Sequence, residues 1–335
     1  MISLKNNKIK ALAAGLMLTL ALGALGCGGD KKEAGAKAEK VNVGIVQLVE
    51  HEALDAANKG FVDGLASKGY KEGQNIAFDK QNAQADQSNL QNIAHRFVNN
   101  KVDLICAIAT PAAQTVANVT SDIPIVATAV TDYKTAKLIK DDAKPGTNVT
   151  GTTDMNPVAE QLDLLLKLVP NAKTIGTIYC SSEVNSQLQV ELLKKAAAAK
   201  GITVKEATVS TVNDIQQAAR SLAGDVQAVY VPTDNVLASA IPTLISVTEE
   251  AKLPVICAEG GMVRAGGLAT LGVDYYKLGF QTGVMAADIL SGKSKPADMA
   301  IQAQKEFKPT INLKEAAKIG LTVPEDLLKG AEVIK

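Results

Sequence analysis

Residues 102–114, VDLICAIATPAAQ, pass from a short apolar stretch through a threonine-proline turn into small residues. The stretch 102–108 has strand length and almost no polar alternation, the mark of a strand buried on both faces. Pro111 suits the first position of a helix, where its missing N–H costs nothing. Thr110, just ahead of it, has a capping hydroxyl. The segment therefore reads as strand, turn, helix start. Doubly buried strands alternating with helices make a parallel sheet with crossover helices.

The same phrase recurs outward from this point. VNVGIV (41–46) and IPIVAT (123–128) are further continuous apolar runs. Between them, Leu54, Ala57, Phe61 and Leu65 form one helical stripe, and Leu90, Ile93, Ala94, Phe97 and Val98 form another. Asp86 and Ser88 stand where a cap belongs. In the second half, TIGTIY (174–179), VQAVYV (226–231) and LPVICA (253–258) repeat the strand type. Helical stripes again separate them, with Ile215, Ala218, Ala219 and Leu222, then Leu237, Ala240, Ile241 and Leu244. AIATPAAQ in the first half corresponds to YVPTDNVLAS in the second, and SDIPIVATA to AKLPVICAE. The expected fold is α/β, with two doubly wound parallel-sheet lobes joined by a hinge.

The expected first lobe is 41–150 plus about 277–305, and the second is 151–276 plus about 306–335. The boundary falls in the Gly/Pro/Thr/Asn-rich segment 144–157, with a second crossing near 272–279. The helix after that crossing, with Leu278, Thr282, Met285 and Ile289 on one face, is expected to return to the first lobe.

Composition narrows the function. The 335 residues include 35 Lys+Arg and 35 Asp+Glu, so no charge excess points to nucleic acid. The 47% hydrophobic content supports a large core. At the N-terminus, Lys5, Lys8 and Lys10 precede an apolar run, Ala11 to Leu25, of about 15 residues, short of the roughly 20 that span a bilayer. A basic head, a short apolar core and small residues make a secretory signal. Gly23, Ala24 and Gly26 lead to Cys27, which resembles the lipobox of bacterial lipoproteins, whose cysteine thiol takes a diacylglycerol and becomes the new N-terminus. Residues 1–27 are thus a lipoprotein signal peptide, and 28–40 a flexible Gly/Ala/Lys/Glu tether. The expected location is the cell envelope, outside the cytoplasm, lipid-anchored to the membrane. The other cysteines, Cys106, Cys180 and Cys257, lie in or beside apolar runs and read as buried single thiols.

No set of residues here forms a familiar catalyst. HEALD (51–55) breaks the zinc-protease pattern at Asp55, and GLASKGYK (64–71) lacks the ending of a phosphate-binding loop. No metal site, cofactor site or enzymatic activity is expected. Open parallel sheets bind ligands at the carboxyl ends of their strands, and the residues there suit a zwitterion. The helix start at Thr110-Pro111-Ala112 presents N–H groups to a carboxylate. Asp234 and Glu259, at strand ends of the other half, are candidates to meet an ammonium group. Tyr133, Tyr179, Tyr275 and Tyr276 fall at strand ends or the inter-lobe crossing, where rings stack on a flat ligand.

Six segments carry a family resemblance: VGIVQLVEHEALDAANKGFVDGL, NAQADQSNLQNIA, DLICAIATPAAQ, IPIVATAVTD, AVYVPTDN and GVDYYKLGFQTG. Together, in order from about residue 41 to 330, the chain resembles the ABC-transporter substrate-binding proteins of the tryptophan/tyrosine-binding type. The resemblance implies a type I periplasmic-binding fold that captures an amino acid, aromatic in character, in its cleft. It implies delivery of that ligand by a monomer to an ABC permease and its ATPase. Carried over by position, Gln47, Thr110 and Ala112 would line the first lobe's wall, and Asn185, Asp234 and Glu259 the second's. Tyr133 stands where the family often has Pro, and Cys180 where it often has Asn. A ligand-sensing receptor of the same fold is the alternative reading.

Overall fold

The computed structural model describes residues 40–335. Cys27 and most of the tether lie outside the described residues. The chain builds two sheets. The first contains β1 (Val41–Gln47), β2 (Ile76–Asn82), β3 (Leu104–Ile108), β4 (Ile125–Val130) and β5 (Val149–Thr153). The second contains β6 (Thr174–Cys180), β7 (Thr203–Val209), β8 (Val229–Val231), β9 (Val255–Cys257) and β10 (Ala269–Gly272). Three short strands follow: β11 (Gln302–Ala303), β12 (Lys308–Asn312) and β13 (Glu332–Ile334).

The first sheet runs β11-β5-β4-β3-β1-β2 and the second β13-β12-β10-β9-β8-β6-β7. The order 2-1-3-4-5 of the first sheet is therefore reproduced as 7-6-8-9-10 in the second. The pairs are parallel throughout, except that β10 and β12 are antiparallel. Both lobes are doubly wound, and each reverses its strand order beside its first strand, where such sheets open a crevice.

The continuous apolar runs sit at the centre of each sheet, as expected for strands covered on both faces. All five residues of β3 are buried. The second sheet has a separate apolar core on each face, one around Leu237 and Ile241 and the other around Leu162 and Leu193. The edge strands β2 and β7 were not anticipated. Their sequences, IAFDKQN and TVKEATV, mix polar and apolar residues because each strand is only partly covered, β2 being mostly half-buried and β7 mostly exposed. Asp86 caps the helix that follows β2 by accepting from the Asn89 N–H at 2.8 Å.

Three segments cross between the sheets: after β5, between β10 and the helix Tyr275–Leu290, and between β11 and β12. The helix Tyr275–Leu290 packs into the first lobe's core through Leu278, Ala286 and Ile289. Its main neighbour there is the helix Glu52–Ser67, and the two backbones touch along glycines. A β-carbon on Gly279 would lie 1.9 Å from the Ala57 carbonyl oxygen, and one on Gly60 would lie 2.1 Å from that of Tyr276. Cys106, Cys180 and Cys257 are free and buried.

Candidate ligand-binding cleft

The carboxyl ends of the two sheets face one another across a small, nearly filled cavity. His51, Leu54, Ala129, Thr131, Asp154 and Tyr275 line one side. Asn185, Thr233, Asp234, Asn235, Glu259 and Met262 line the other.

Local backbone geometry aims these groups inward. The β4–β5 pairing slips between Ala127 and Val130, and Ala129 takes φ 56° within that irregularity. A left-handed alanine is costly and clusters at functional positions, and a bulge re-aims the side chains beyond it. Here it delivers Thr131 to the cleft. Ala109, at the matching end of β3, also has a positive φ, 89°.

A hydrogen-bond network joins the walls. Tyr275 Oη donates to Asp154 Oδ2 at 2.7 Å, and Thr131 Oγ1 donates to Asp154 Oδ1 at 3.0 Å. Gln189 Nε2 reaches Thr131 Oγ1 at 3.5 Å from the second lobe, while its Oε1 accepts from the Thr233 N–H and hydroxyl. Asn185 Nδ2 donates to the Thr233 carbonyl at 2.8 Å and to Glu183 Oε2 at 2.9 Å. Glu183 also accepts from Asn235 Nδ2 at 2.6 Å and from the Asn235 and Val236 N–H groups. Asn235 Oδ1 then lies 3.3 Å from His51 Nε2, back in the first lobe.

The site is rich in buried acids. Asp154, Glu183, Asp234 and Glu259 are each no more than 3% exposed. Among the described residues, no lysine or arginine lines the cavity. Burial raises the Asp154 carboxyl above its ordinary range and takes Glu259 to about 7. Glu183 is pushed to about 8 by burial and by the charge of Asp234, which is itself raised by burial, so this pair carries less than two full charges. Burial also holds the His51 imidazole down at about 4, leaving it neutral.

The sequence-derived candidates divide between cavity and scaffold. Asn185, Asp234 and Glu259 are in the lining; Gln47, Thr110 and Ala112 are not. Gln47 spends its amide on Asp55, Asn58 and the Val49 carbonyl. Thr110 and Ala112 are buried at their helix start, and Thr110 Oγ1 has no partner. Asp234 and Glu259 both act as helix caps: Asp234 accepts from the Leu237 N–H, and Glu259 from those of Gly261 and Met262. Asp154, Thr131, Glu183 and His51 went unrecognised as site residues. Asp154 lies in the stretch 144–157, whose composition reads as linker.

The expected cluster of tyrosines does not form. Only Tyr275 lines the cavity. Tyr133 is buried beneath the β4–β5 irregularity, its hydroxyl 2.8 Å from the Ala127 carbonyl, and Tyr230 donates to Gln161 within the second lobe. Tyr179 and Tyr276 donate to the surface carboxylates of Glu206 and Asp63. A phenol needs a partner when buried, and these partners lie outside the cleft. Neither Tyr133 nor Cys180 is in the lining.

A larger, more open groove adjoins the cavity and shares Glu259 and Tyr275 with it. Its charges are already paired: Arg264 meets Glu52 and Glu332, and Lys308 meets Glu332 at 3.0 Å. The smaller cavity, with its uncompensated buried acids, is the better ligand site.

Two doubly wound lobes with polar groups converging between them define a bilobal binding protein. A family model described as ABC transporter substrate binding protein matches residues 42–335, and the chain belongs to that family. It is a binding protein and not an enzyme. A tyrosine-binding protein from Clostridioides difficile (strain R20291) is 46% identical over 283 residues, covering 84% of this chain and 81% of that protein. An ABC domain in complex with L-Trp from Streptococcus pneumonia is 41% identical with a TM-score of 0.85, covering 89% of this chain and all of that one. A ligand-free, open substrate binding protein with adhesive properties from Clostridium difficile is 44% identical but has a TM-score of only 0.68, covering 88% of this chain and 99% of that one. The chain as a whole superposes more closely on the L-Trp complex than on the open protein. Among the described residues, no helix is long and apolar enough to cross a membrane.

Proposed function

We propose that this protein captures an aromatic amino acid between its lobes and hands it to an ABC permease driven by an ATPase. The observation that carries the reading is the buried, acid-lined cavity with no lysine or arginine in its wall among the described residues. Such a site favours a ligand that brings its own positive charge, because an unpaired buried carboxylate is costly. Leu54, Ala129, Ala238 and Met262 give the same cavity an apolar wall for a side chain. The similarity to a tyrosine-binding protein and to an L-Trp complex supports the aromatic class. Asn185, Asp234 and Glu259 are carried into the site on this reading, joined by Asp154.

A ligand touching both walls favours the closed form by its differential affinity, and the three crossing segments absorb the rotation. The monomer is held at the outer face of the membrane by a lipid on Cys27, near its permease. A thermal-shift and calorimetric screen of the common amino acids tests the ligand. L-tryptophan, L-tyrosine or L-phenylalanine is expected to raise the melting temperature, since a ligand of the native state stabilises it. A response confined to aliphatic amino acids or sugars would reject the aromatic class.

A further inference from the structure

We propose that Asp154, on the first crossing segment, is the residue that receives the ligand's ammonium group, with the Asn185 amide oxygen as a second acceptor. This rests on the amino-acid reading above and deepens it.

The four buried acids differ in how much accepting capacity remains. A carboxylate offers about four lone-pair sites. Glu183 receives four donors from Asn185, Asn235 and Val236. Asp234 receives the Cys180 N–H at 2.6 Å, the Ser186 hydroxyl at 2.7 Å and the Leu237 N–H at 2.9 Å. These two are committed to shaping the second lobe. Glu259 accepts two N–H groups and is also favoured by the charge of Arg264. Asp154 accepts two neutral hydroxyls, one on each oxygen, besides its own backbone N–H, and among the described residues no cation stands near it. It is the acid with both spare lone pairs and uncompensated charge.

Asn185 adds an independent observation. Its Nδ2 is spent on two acceptors, which fixes the amide's orientation. Its Oδ1 is then buried with no partner, in a residue that lines the cavity. A buried acceptor left unpaired is costly and points to a donor supplied by the ligand.

The position of Asp154 has a mechanical meaning. It directly follows β5, where the chain leaves the first lobe, and its Oδ2 is held by Tyr275, the first residue of the helix after the second crossing. An ammonium seated there touches two of the three crossings at once, so occupancy is read where the lobes rotate.

Asp154→Asn keeps the shape and an acceptor for Thr131 but removes the charge. L-tryptophan and its des-amino analogue, indole-3-propionate, are titrated against wild type and variant by calorimetry. The variant is expected to bind L-tryptophan at least roughly tenfold more weakly and to lose most of the wild-type preference over the analogue. Asp234→Asn and Glu259→Gln, which reshape the pocket for both ligands alike, are expected to shift the two affinities together and so keep their ratio. An unchanged preference in Asp154→Asn overturns the proposal, while wild type that ignores every aromatic amino acid overturns the reading beneath it. Should the variant fold poorly, a crystal structure of wild type with L-tryptophan decides. Its ammonium nitrogen is expected within about 3 Å of the Asp154 carboxylate; seated on Asp234 or Glu259 instead, it refutes the assignment.

Discussion

His51 Nε2 lies 3.3 Å from Asn235 Oδ1, and this contact spans the cleft. Burial holds the imidazole at about 4, below the ordinary 6.5, so the closed form accepts only neutral His51. Opening that exposes the ring to water would return it toward its ordinary value. A group whose pKa is depressed on closing contributes its full stabilisation above the ordinary value and loses it as the pH falls toward the depressed one. His51 is therefore expected to contribute a loss of ligand affinity of about fivefold or more between pH 7 and pH 5, against the opposite contribution of the raised Glu183 and Glu259 carboxyls. His51→Gln should remove that loss. If the variant's pH dependence matches wild type, His51 is not the source.

Arg264 and Glu52 also join the lobes, but both side chains are well exposed, at 39% and 51%. Exposed pairs are worth about 0–1 kcal/mol. A double-mutant cycle of Glu52→Gln and Arg264→Gln, read as ligand affinity, should therefore show a coupling below about 1 kcal/mol that fades with added salt. That leaves the ligand, rather than a standing ion pair, to decide closure. A salt-insensitive coupling of several kcal/mol would instead make the pair a latch.

Cys27 follows a signal-like segment in the sequence. Stable membrane attachment takes more than one acyl chain, which a diacylglycerol supplies. Cys27→Ala is expected to move the protein from the membrane fraction to the soluble one without changing ligand affinity. A wild-type protein whose mass shows no acyl addition would refute the anchor.

The centre of each sheet was legible because strands covered on both faces need continuous apolar runs, as in LICAI of β3. The edge strands β2 and β7 were not, since strands with one wet side mix polar residues into the pattern. The VTGTT of β5 reads as linker. Its threonines are buried through side-chain bonding that composition does not reveal: Thr152 Oγ1 meets Thr128 and Thr282, and Thr150 Oγ1 donates to the Met299 carbonyl. Asp154, one residue beyond, was lost with it. Asp234 and Glu259 stand out as candidates because acids that end strands before helices are visible in sequence. That signal is the same for a cap and a ligand contact, and only the bonding around each acid separates them.

The repeated phrase Gly-Phe-x-x-Gly, at 60–64 and again at 279–283, was present in the sequence without an assigned meaning. In the structure these glycines form the seam between the helices Glu52–Ser67 and Tyr275–Leu290. A β-carbon on Gly64 would fall 2.2 Å from the Phe280 carbonyl oxygen, and one on Gly283 would fall 2.2 Å from that of Phe61. These obstacles are backbone atoms, so the helices must separate to admit a methyl. Alanine is favoured over glycine inside a helix by about 1 kcal/mol, yet overpacking of a tight core typically costs about 1–3 kcal/mol or more. Gly279→Ala, the tightest of the four at 1.9 Å from the Ala57 carbonyl oxygen, is therefore expected to be destabilising on balance. The same helices begin at the cleft, where Leu54 and Tyr275 line the cavity. Spreading the seam should thus weaken ligand binding as well as lower the melting temperature. Gly292→Ala serves as the comparison, since a β-carbon there meets no atom within 4 Å, although its φ of +73° carries a strain of its own. That variant should lose some stability while keeping wild-type affinity. If Gly279→Ala melts at or above the wild-type temperature and binds as tightly, the seam is not as close as described, and its role in positioning Tyr275 falls with it.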